Sequence, residues 1–224
     1  MKRITMEPFD QLLEQSAAAH GHLCPGQVVG VRMALLGCRL IGLDEPASRD
    51  QIKKLLVYVE MDRCTADAVA YVTGVKLGRR SLKFMDYGIM AATFVNLETD
   101  RAFRIISTEE SRDLCGIYAP ELEEKSKQQI CAYKRMPDSV LFRVQKVHVQ
   151  VREVDLPGPT RQKITCSRCG QVVRDGRQME QNGQLLCKPC AGNAYFSHAR
   201  EVTWQDMNWS PVNQENLADA TLNK

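Results

Sequence analysis

The chain has no apolar run that could cross a membrane, because no stretch reaches 18 consecutive apolar residues. We also expect no secretory signal, since the opening M-K-R-I-T-M-E-P-F-D turns polar and acidic before a hydrophobic segment develops. A large excess of one charge sign is also missing. The formal net charge is only +3 over 224 residues, which argues against a strong polyanion as partner. We therefore expect a cytoplasmic protein with no membrane association.

Cysteine, in contrast, is abundant for such a protein. The chain has nine cysteines, and in the cytoplasm these favour metal binding or thiol chemistry over disulfides. The apolar fraction of 44% and the charged fraction of 25% are typical of a globular protein. The length suits one ordinary domain and a smaller module.

The first motif whose side chains could bind a metal or react is H-G-H-L-C-P-G, which places His20, His22 and Cys24 within five residues. Pro25 suits the first position of a helix, which would leave Cys24 at or beside the N-cap. The helix dipole favours a thiolate there, so Cys24 is a candidate metal ligand. Each residue taken singly is more consistent with a buried turn, but the three together favour a functional site.

A second motif, D-R-C-T-A-D, follows a buried strand predicted over 55–61 and precedes a helix predicted over 65–73. Cys64 therefore lies at a strand-to-helix turn, in the same kind of position as Cys24. Ligands gather where helices begin, because unpaired backbone N–H groups point there. The two cysteines could share one pocket.

The remaining pattern predicts an α+β fold, with helices packed on a mainly antiparallel sheet. Gly26, Gly30 and Gly37 in the apolar second helix predict a close backbone contact, which a second copy of the chain could supply. D-Y-G at 86–88 predicts a hairpin turn between two strands. The other predicted elements are helices over 8–20, 25–43, 49–54, 108 onward and 120–136, and strands over 81–85, 89–96, 102–107 and 140–151.

The strongest signal is Cys166-x2-Cys169, then 17 residues, then Cys187-x2-Cys190. Two such pairs close a tetrahedral site around one Zn²⁺, and four thiolates leave no position open, so this zinc would be structural. The intervening sequence predicts the hairpin of a zinc ribbon or a treble clef, and a treble clef would add a short helix from Cys190.

The prolines and glycine of D-L-P-G-P-T mark the boundary before this module. We expect a core domain over 1–157, a four-cysteine zinc-finger domain over 158–200 and a tail over 201–224. Residues 161–190 carry six Lys/Arg and two Asp/Glu, too mild an excess to favour nucleic acid over a protein partner. Trp204 and Trp209 lie in a stretch otherwise poor in core-forming residues, which favours packing on another surface.

These motifs resemble the FmdE-like family, which is named for one component of formylmethanofuran dehydrogenase. The resemblance covers about residues 10–190 and depends on G-H-L-C-P-G, V-E-M-D-R-C-T-A-D-A-V-A-Y-V-T-G, K-F-M-D-Y-G and the cysteine pairs. It implies an α+β core, often a treble-clef tail, a homodimer, and association with molybdenum or tungsten enzymes of C1 metabolism.

By position, the resemblance implicates a pocket formed by His20, His22, Cys24, Asp62, Cys64 and Asp67. The chain also departs from the family pattern. Val75 and Lys76 stand where a thiol and a hydroxyl are expected, and Ile89 stands where a lysine is expected. A pocket that needs the third thiolate would be impaired in this chain.

Three hypotheses about function follow. The first is a metal-binding accessory protein of a molybdenum or tungsten enzyme complex, with a second transition metal bound by His20, His22, Cys24 and Cys64 in addition to the tail zinc. The second is an enzyme of C1 or pterin-type metabolism, with Cys64 or Cys24 as nucleophile, or an open metal site, and Asp62 or Asp67 as general base. The third is a zinc-finger regulator or adaptor with a ligand-sensing core.

Overall fold

The computed structural model describes residues 8–202, and these form two compact units. The first unit ends at Thr160 and the second begins at Arg161. Trp204, Trp209 and most of the expected tail lie outside the described residues.

The first unit is built on a five-stranded sheet in the order β2-β1-β3-β4-β5. Only β1 and β2 pair in parallel, and the other three pairings are antiparallel. The predicted α+β fold with a mainly antiparallel sheet is therefore confirmed. The strands are β1 (Leu55–Val59), β2 (Leu82–Phe84), β3 (Ala91–Asn96), β4 (Arg101–Ser107) and β5 (Phe142–Val147).

The predicted hairpin between the strands now called β2 and β3 is wrong. β1 lies between them, with Val57 opposite Leu82 on one side and opposite Phe94 on the other. The D-Y-G segment is instead part of a connection that passes the end of β1, where Ile89 N–H donates to the Glu60 carbonyl. β1 is the most apolar strand of the three, so the central position buries it on both faces.

Seven helices accompany this sheet within the described residues: α1 (Phe9–His20), α2 (Pro25–Ile41), α3 (Cys64–Thr73), α4 (Glu110–Asp113), α5 (Cys115–Tyr118), α6 (Lys125–Arg135) and α7 (Asp138–Leu141). The helix predicted over 49–54 is wrong, since these residues form turns. Ser48 does accept the Gln51 N–H through its side chain, but so short a polar segment does not propagate a helix. α6 is also shorter than predicted.

The core lies between the helices and one face of the sheet, and α2 crosses its centre. The glycines of α2 make close contacts within the same chain, so no second copy is needed to explain them. A Cβ at Gly30 would lie 2.6 Å from the Ala68 Cβ, and one at Gly37 would lie 2.3 Å from the Phe94 ring. α2 therefore packs tightly against α3 and the sheet, which brings the N-terminal ends of α2 and α3 together.

The second unit contains two short hairpins. β6 (Lys163–Thr165) pairs with β7 (Val172–Arg174), and β8 (Met179–Gln181) pairs with β9 (Gln184–Leu186). The helix that a treble clef would add after Cys190 is absent from the part of the chain that the structure describes. Gly192 has φ +91°, a left-handed conformation that interrupts a helix at that point.

Candidate metal centres

Three chain segments bring the first motif and the second motif together. α1 ends at His20, where Gly21 in the left-handed conformation closes the helix. Cys24 is the extended N-cap residue of α2, and Cys64 is the first residue of α3. Because the starts of α2 and α3 are adjacent, a Cβ at Gly26 would lie 3.0 Å from the Cys64 Cβ.

His20, Cys24 and Cys64 form one cluster of potential metal ligands. One ring nitrogen of His20 and the two sulfur atoms all lie within 4.8 Å of one another, and all three residues are half-buried. A set of one imidazole and two thiols suits zinc or another soft-binding transition metal. Three protein ligands leave a fourth position open in a tetrahedral site.

The hydrogen bonds of His20 determine which of its nitrogens is available. Nδ1 lies 3.0 Å from Oδ2 of Asp67, so the carboxylate accepts an Nδ1–H and leaves Nε2 with a free lone pair. Nε2 is buried and has no hydrogen-bond partner. A buried polar atom without a partner is costly in a native structure. A metal ion held with the two sulfurs would satisfy it.

The surroundings of the Cys64 thiol favour its protonated form when no metal is bound. Burial raises its pKa above the ordinary value, and the hydrogen bond with Cys24 raises it further. Asp67 adds a smaller effect in the same direction. A bound cation would reverse this balance, because metals bind the thiolate form.

Gln27 supports this cluster, and the sequence motifs did not reveal its role. Its side chain is fully buried in α2, where the Ser16 hydroxyl donates to Oε1 at 2.6 Å. Nε2 of Gln27 donates to the Cys64 carbonyl at 2.9 Å. One amide thus joins α1 and α2 to the first residue of α3. An isolated amide on an apolar helix is the sequence signal for such a role.

Three other candidates contribute no ligand atom to the cluster. His22 is exposed, and its ring is tilted by 39° against the His20 ring, with centroids 4.9 Å apart. Asp62 is also exposed and lies outside the group of potential ligands. Asp67 contacts the His20 ring and contributes no ligand atom to the group.

A pocket of about 410 Å³ adjoins His20 and Asp67 between α1 and α3. Val75 and Lys76, at the positions where the resemblance implied a thiol and a hydroxyl, line its other end. Val75 is 1% exposed. The substitution of the third thiol therefore changes the wall of this pocket and leaves the three-residue cluster complete.

The second centre is formed by Cys166, Cys169, Cys187 and Cys190, whose sulfurs all lie within 4.8 Å of one another. The sulfurs of Cys169 and Cys187 are 3.7 Å apart, close to the edge of about 3.8 Å that Zn–S bonds of about 2.3 Å give in a tetrahedron. The Cys190 N–H donates to the Cys187 sulfur at 3.4 Å. This cysteine cluster can hold a metal ion.

Cys166 and Cys190 of this cluster differ in how readily they ionise. Backbone hydrogen bonds from Cys187 and Cys169 lower the pKa of Cys166 to about 6. The hydrogen bond with Cys187 raises the pKa of Cys190 to about 12, because a second thiolate so close is unfavourable. Only a cation would allow all four to ionise together.

Among residues 8–202, no helix combines the length and the apolar character needed to cross a bilayer.

Comparison with known proteins supports the resemblance. The chain is 29% identical over 215 residues to a probable S-adenosyl-L-methionine-binding protein of Archaeoglobus fulgidus, and the match covers 86% of this chain. The chain spans 56% of the length of that curated relative.

The fold is similar to the crystal structure of a tungsten formylmethanofuran dehydrogenase FmdE-like protein from Syntrophus aciditrophicus. The TM-score is 0.56 at 16% identity, covering 88% of this chain and all of that one. The family model described as "FmdE, Molybdenum formylmethanofuran dehydrogenase operon" matches residues 19–143. This match includes His20, Cys24 and Cys64 and more than half of the sequence, and the chain therefore belongs to the FmdE family.

Proposed function

We propose that the first unit binds a divalent transition metal through His20, Cys24 and Cys64. The observation that supports this most is the buried, unpartnered Nε2 of a His20 ring that lies within reach of two thiols, while Asp67 holds the other ring nitrogen. A carboxylate on the second nitrogen of a metal-binding histidine fixes its tautomer and raises its basicity. The arrangement resembles a metal site with ligands and orienting group in place.

The donor set narrows the choice of metal. Two thiolates and an imidazole suit zinc, copper(I), nickel and iron, and they suit magnesium and calcium poorly. The open fourth position would admit water or a ligand from another molecule. For the second unit we propose a structural zinc held by Cys166, Cys169, Cys187 and Cys190, because four thiolates leave no such position.

We infer that this metal-binding protein serves a molybdenum or tungsten enzyme system as an accessory component. The family belongs to a molybdenum formylmethanofuran dehydrogenase operon, which supports partners from such a complex. A homodimer in the cytoplasm is part of the same proposal and follows from the family resemblance. Light scattering coupled to size-exclusion chromatography would test the dimer directly.

Elemental analysis tests the two centres separately. We expect two metals per chain, with the core metal lost in His20→Ala and Cys64→Ser and the tail metal retained. Cys187→Ser should show the reverse pattern. Cys131→Ser is the matched control, because Cys131 is half-buried and belongs to neither cluster. A single metal per chain that survives His20→Ala and Cys64→Ser would exclude the core site.

The open coordination position also supports an enzyme as the second candidate. In that case the metal would activate a water molecule, and Asp67 would orient His20 instead of acting as the general base. A nucleophilic role for Cys64 receives less support, because its pKa is raised. Alkylation of the metal-free protein at neutral pH separates these alternatives: rapid modification of Cys64 would favour the nucleophile.

A further inference from the structure

The pocket beside His20 has a size and position suited to a small molecule. Its volume of about 410 Å³ lies in the range of small-molecule sites. α1 contributes Ala19 and His20, and α3 contributes Asp67 and Ala70 on the facing side. The proposed metal ligands Cys24 and Cys64 are not among the lining residues.

The two ends of this pocket carry opposite charges. Asp67 uses Oδ2 to accept the bond from His20, and its side chain is 68% exposed, so Oδ1 can accept from a ligand. Lys76 is exposed, and its ammonium has no ion-pair partner among residues 8–202. An acidic group and a basic group that are both accessible can bind two charges of one ligand.

Most of the remaining lining is apolar. Ala19, Ala70 and Tyr71 are at least partly exposed there, whereas Val75 is 1% exposed and lies beneath the surface. From Asp67 to Thr73 the helix rises by about 9 Å, and Lys76 follows after the turn at Gly74. The acidic and basic ends are therefore separated along the helix axis.

We propose that this pocket binds a small dipolar molecule with an ammonium group at Asp67, a carboxylate at Lys76 and an aliphatic chain between them. The aliphatic chain of the ligand packs on Ala19, Ala70 and Tyr71. This inference goes beyond the proposed metal site and does not require it. Because Asp67 also holds His20, metal content must be measured alongside ligand binding.

Three probes test the proposal by ligand-observed NMR titration of the full-length protein. ε-Aminocaproate carries both charges, n-hexylamine only the ammonium and caproate only the carboxylate. We expect ε-aminocaproate to bind more tightly than either of the others. Lys76→Met should weaken binding of ε-aminocaproate and caproate about tenfold and leave hexylamine unchanged, since one charge-assisted hydrogen bond is lost. Asp67→Asn should weaken hexylamine and leave caproate unchanged.

Arg79→Met is the matched control, because Arg79 is an exposed cation in the same loop that does not line the pocket. Equal losses in Lys76→Met and Arg79→Met, or no preference for the doubly charged probe, would overturn the proposal. Metal analysis of each variant separates the two hypotheses. Charge-dependent binding without a core metal would support the pocket proposal and refute the metal site. A core metal without charge-dependent binding would support the metal site and refute the pocket proposal.

Discussion

At the scale of single residues, the different surroundings of the two ring nitrogens of His20 determine what the first centre can bind. Nδ1 is held by Asp67, Nε2 is buried without a hydrogen-bond partner, and one nitrogen of the ring lies within 4.8 Å of the Cys24 and Cys64 sulfurs. The spacing of His20, Cys24 and Cys64 made these residues predictable as candidates. The choice between His20 and His22 was not predictable, because it depends on where α1 ends and on a contact with a residue 47 positions away.

Removing the carboxylate that orients His20 should weaken metal binding without removing a ligand. We expect Asp67→Asn to lower core metal affinity about ten- to a hundredfold, the usual effect of losing such a partner. Competition with a chromogenic chelator measures this change. Asp62→Asn is the control, because Asp62 is exposed and outside the cluster. An equal loss in Asp62→Asn would instead favour its predicted place in the site.

Cys38 provides a test of burial in the core. Its side chain is fully buried in α2, and burial raises its pKa from 9.0 to about 12. The higher pKa in the folded state means that this thiol favours folding below pH 9 and loses that effect as the pH rises toward 12. We expect iodoacetamide at about pH 8 to leave Cys38 unmodified until denaturant is added, while half-buried Cys131 reacts in the native protein. Mass spectrometry of peptides measures the modification of each cysteine. Modification of Cys38 before denaturant is added would refute the prediction.

At the scale of helices, the contact between α2 and α3 sets the separation of the two cysteines. Gly30→Ala would place a methyl group 2.6 Å from both the Ala68 Cβ and the Thr65 carbonyl oxygen. We expect a loss of about 1–3 kcal/mol in the free energy of unfolding and a lower core metal content. Gly116→Ala is the matched control, since a Cβ there meets nothing within 4 Å. Denaturant titration of both variants measures the difference.

At the scale of strands, an ion pair between a partly exposed arginine and a buried carboxylate crosses the sheet. Arg104 in β4 donates through Nε and Nη2 to the two oxygens of Glu60, at 2.7 and 2.6 Å, across β3. Glu60 is 4% exposed, so Arg104→Met would leave its charge buried without a partner. We expect a loss of about 3–5 kcal/mol in the free energy of unfolding. Adding Glu60→Gln to Arg104→Met should restore part of the lost free energy of unfolding. A double variant no more stable than Arg104→Met would refute the pairing.

The elements differ in how far the sequence predicted them. The end of α1 and the starts of α2 and α3 were predictable from Gly21, Pro25 and the helical spacing, because these signals are local. The position of β1 between β2 and β3 was not, because D-Y-G is equally suitable for a hairpin turn and for a longer connection. Strand order depends on which strand the core must bury on both faces, and that is a property of the whole sheet.

At the scale of the molecule, the two units should depend on metal to different degrees. The small core of the second unit contains Cys166, Leu186 and Cys187 as its buried members, too little apolar surface to be stable alone. We expect a strong zinc chelator to expose residues 161–202 to limited proteolysis while the first unit stays resistant. Protection of both units after verified metal removal would contradict this.

The two centres also differ in how much chain separates their ligands, and this has a consequence for the order of assembly. In the second unit, Cys166 and Cys169 lie between β6 and β7, and Cys187 and Cys190 follow β9. If this cluster binds the proposed ion, the ion could bring the two local turns together before the rest of the unit has folded. Cys24 and Cys64 are separated by all of α2 and β1. They meet only after α2 has packed on α3. If the first centre binds metal as proposed, it would do so only in a folded core, and metal uptake there would report that folding is complete.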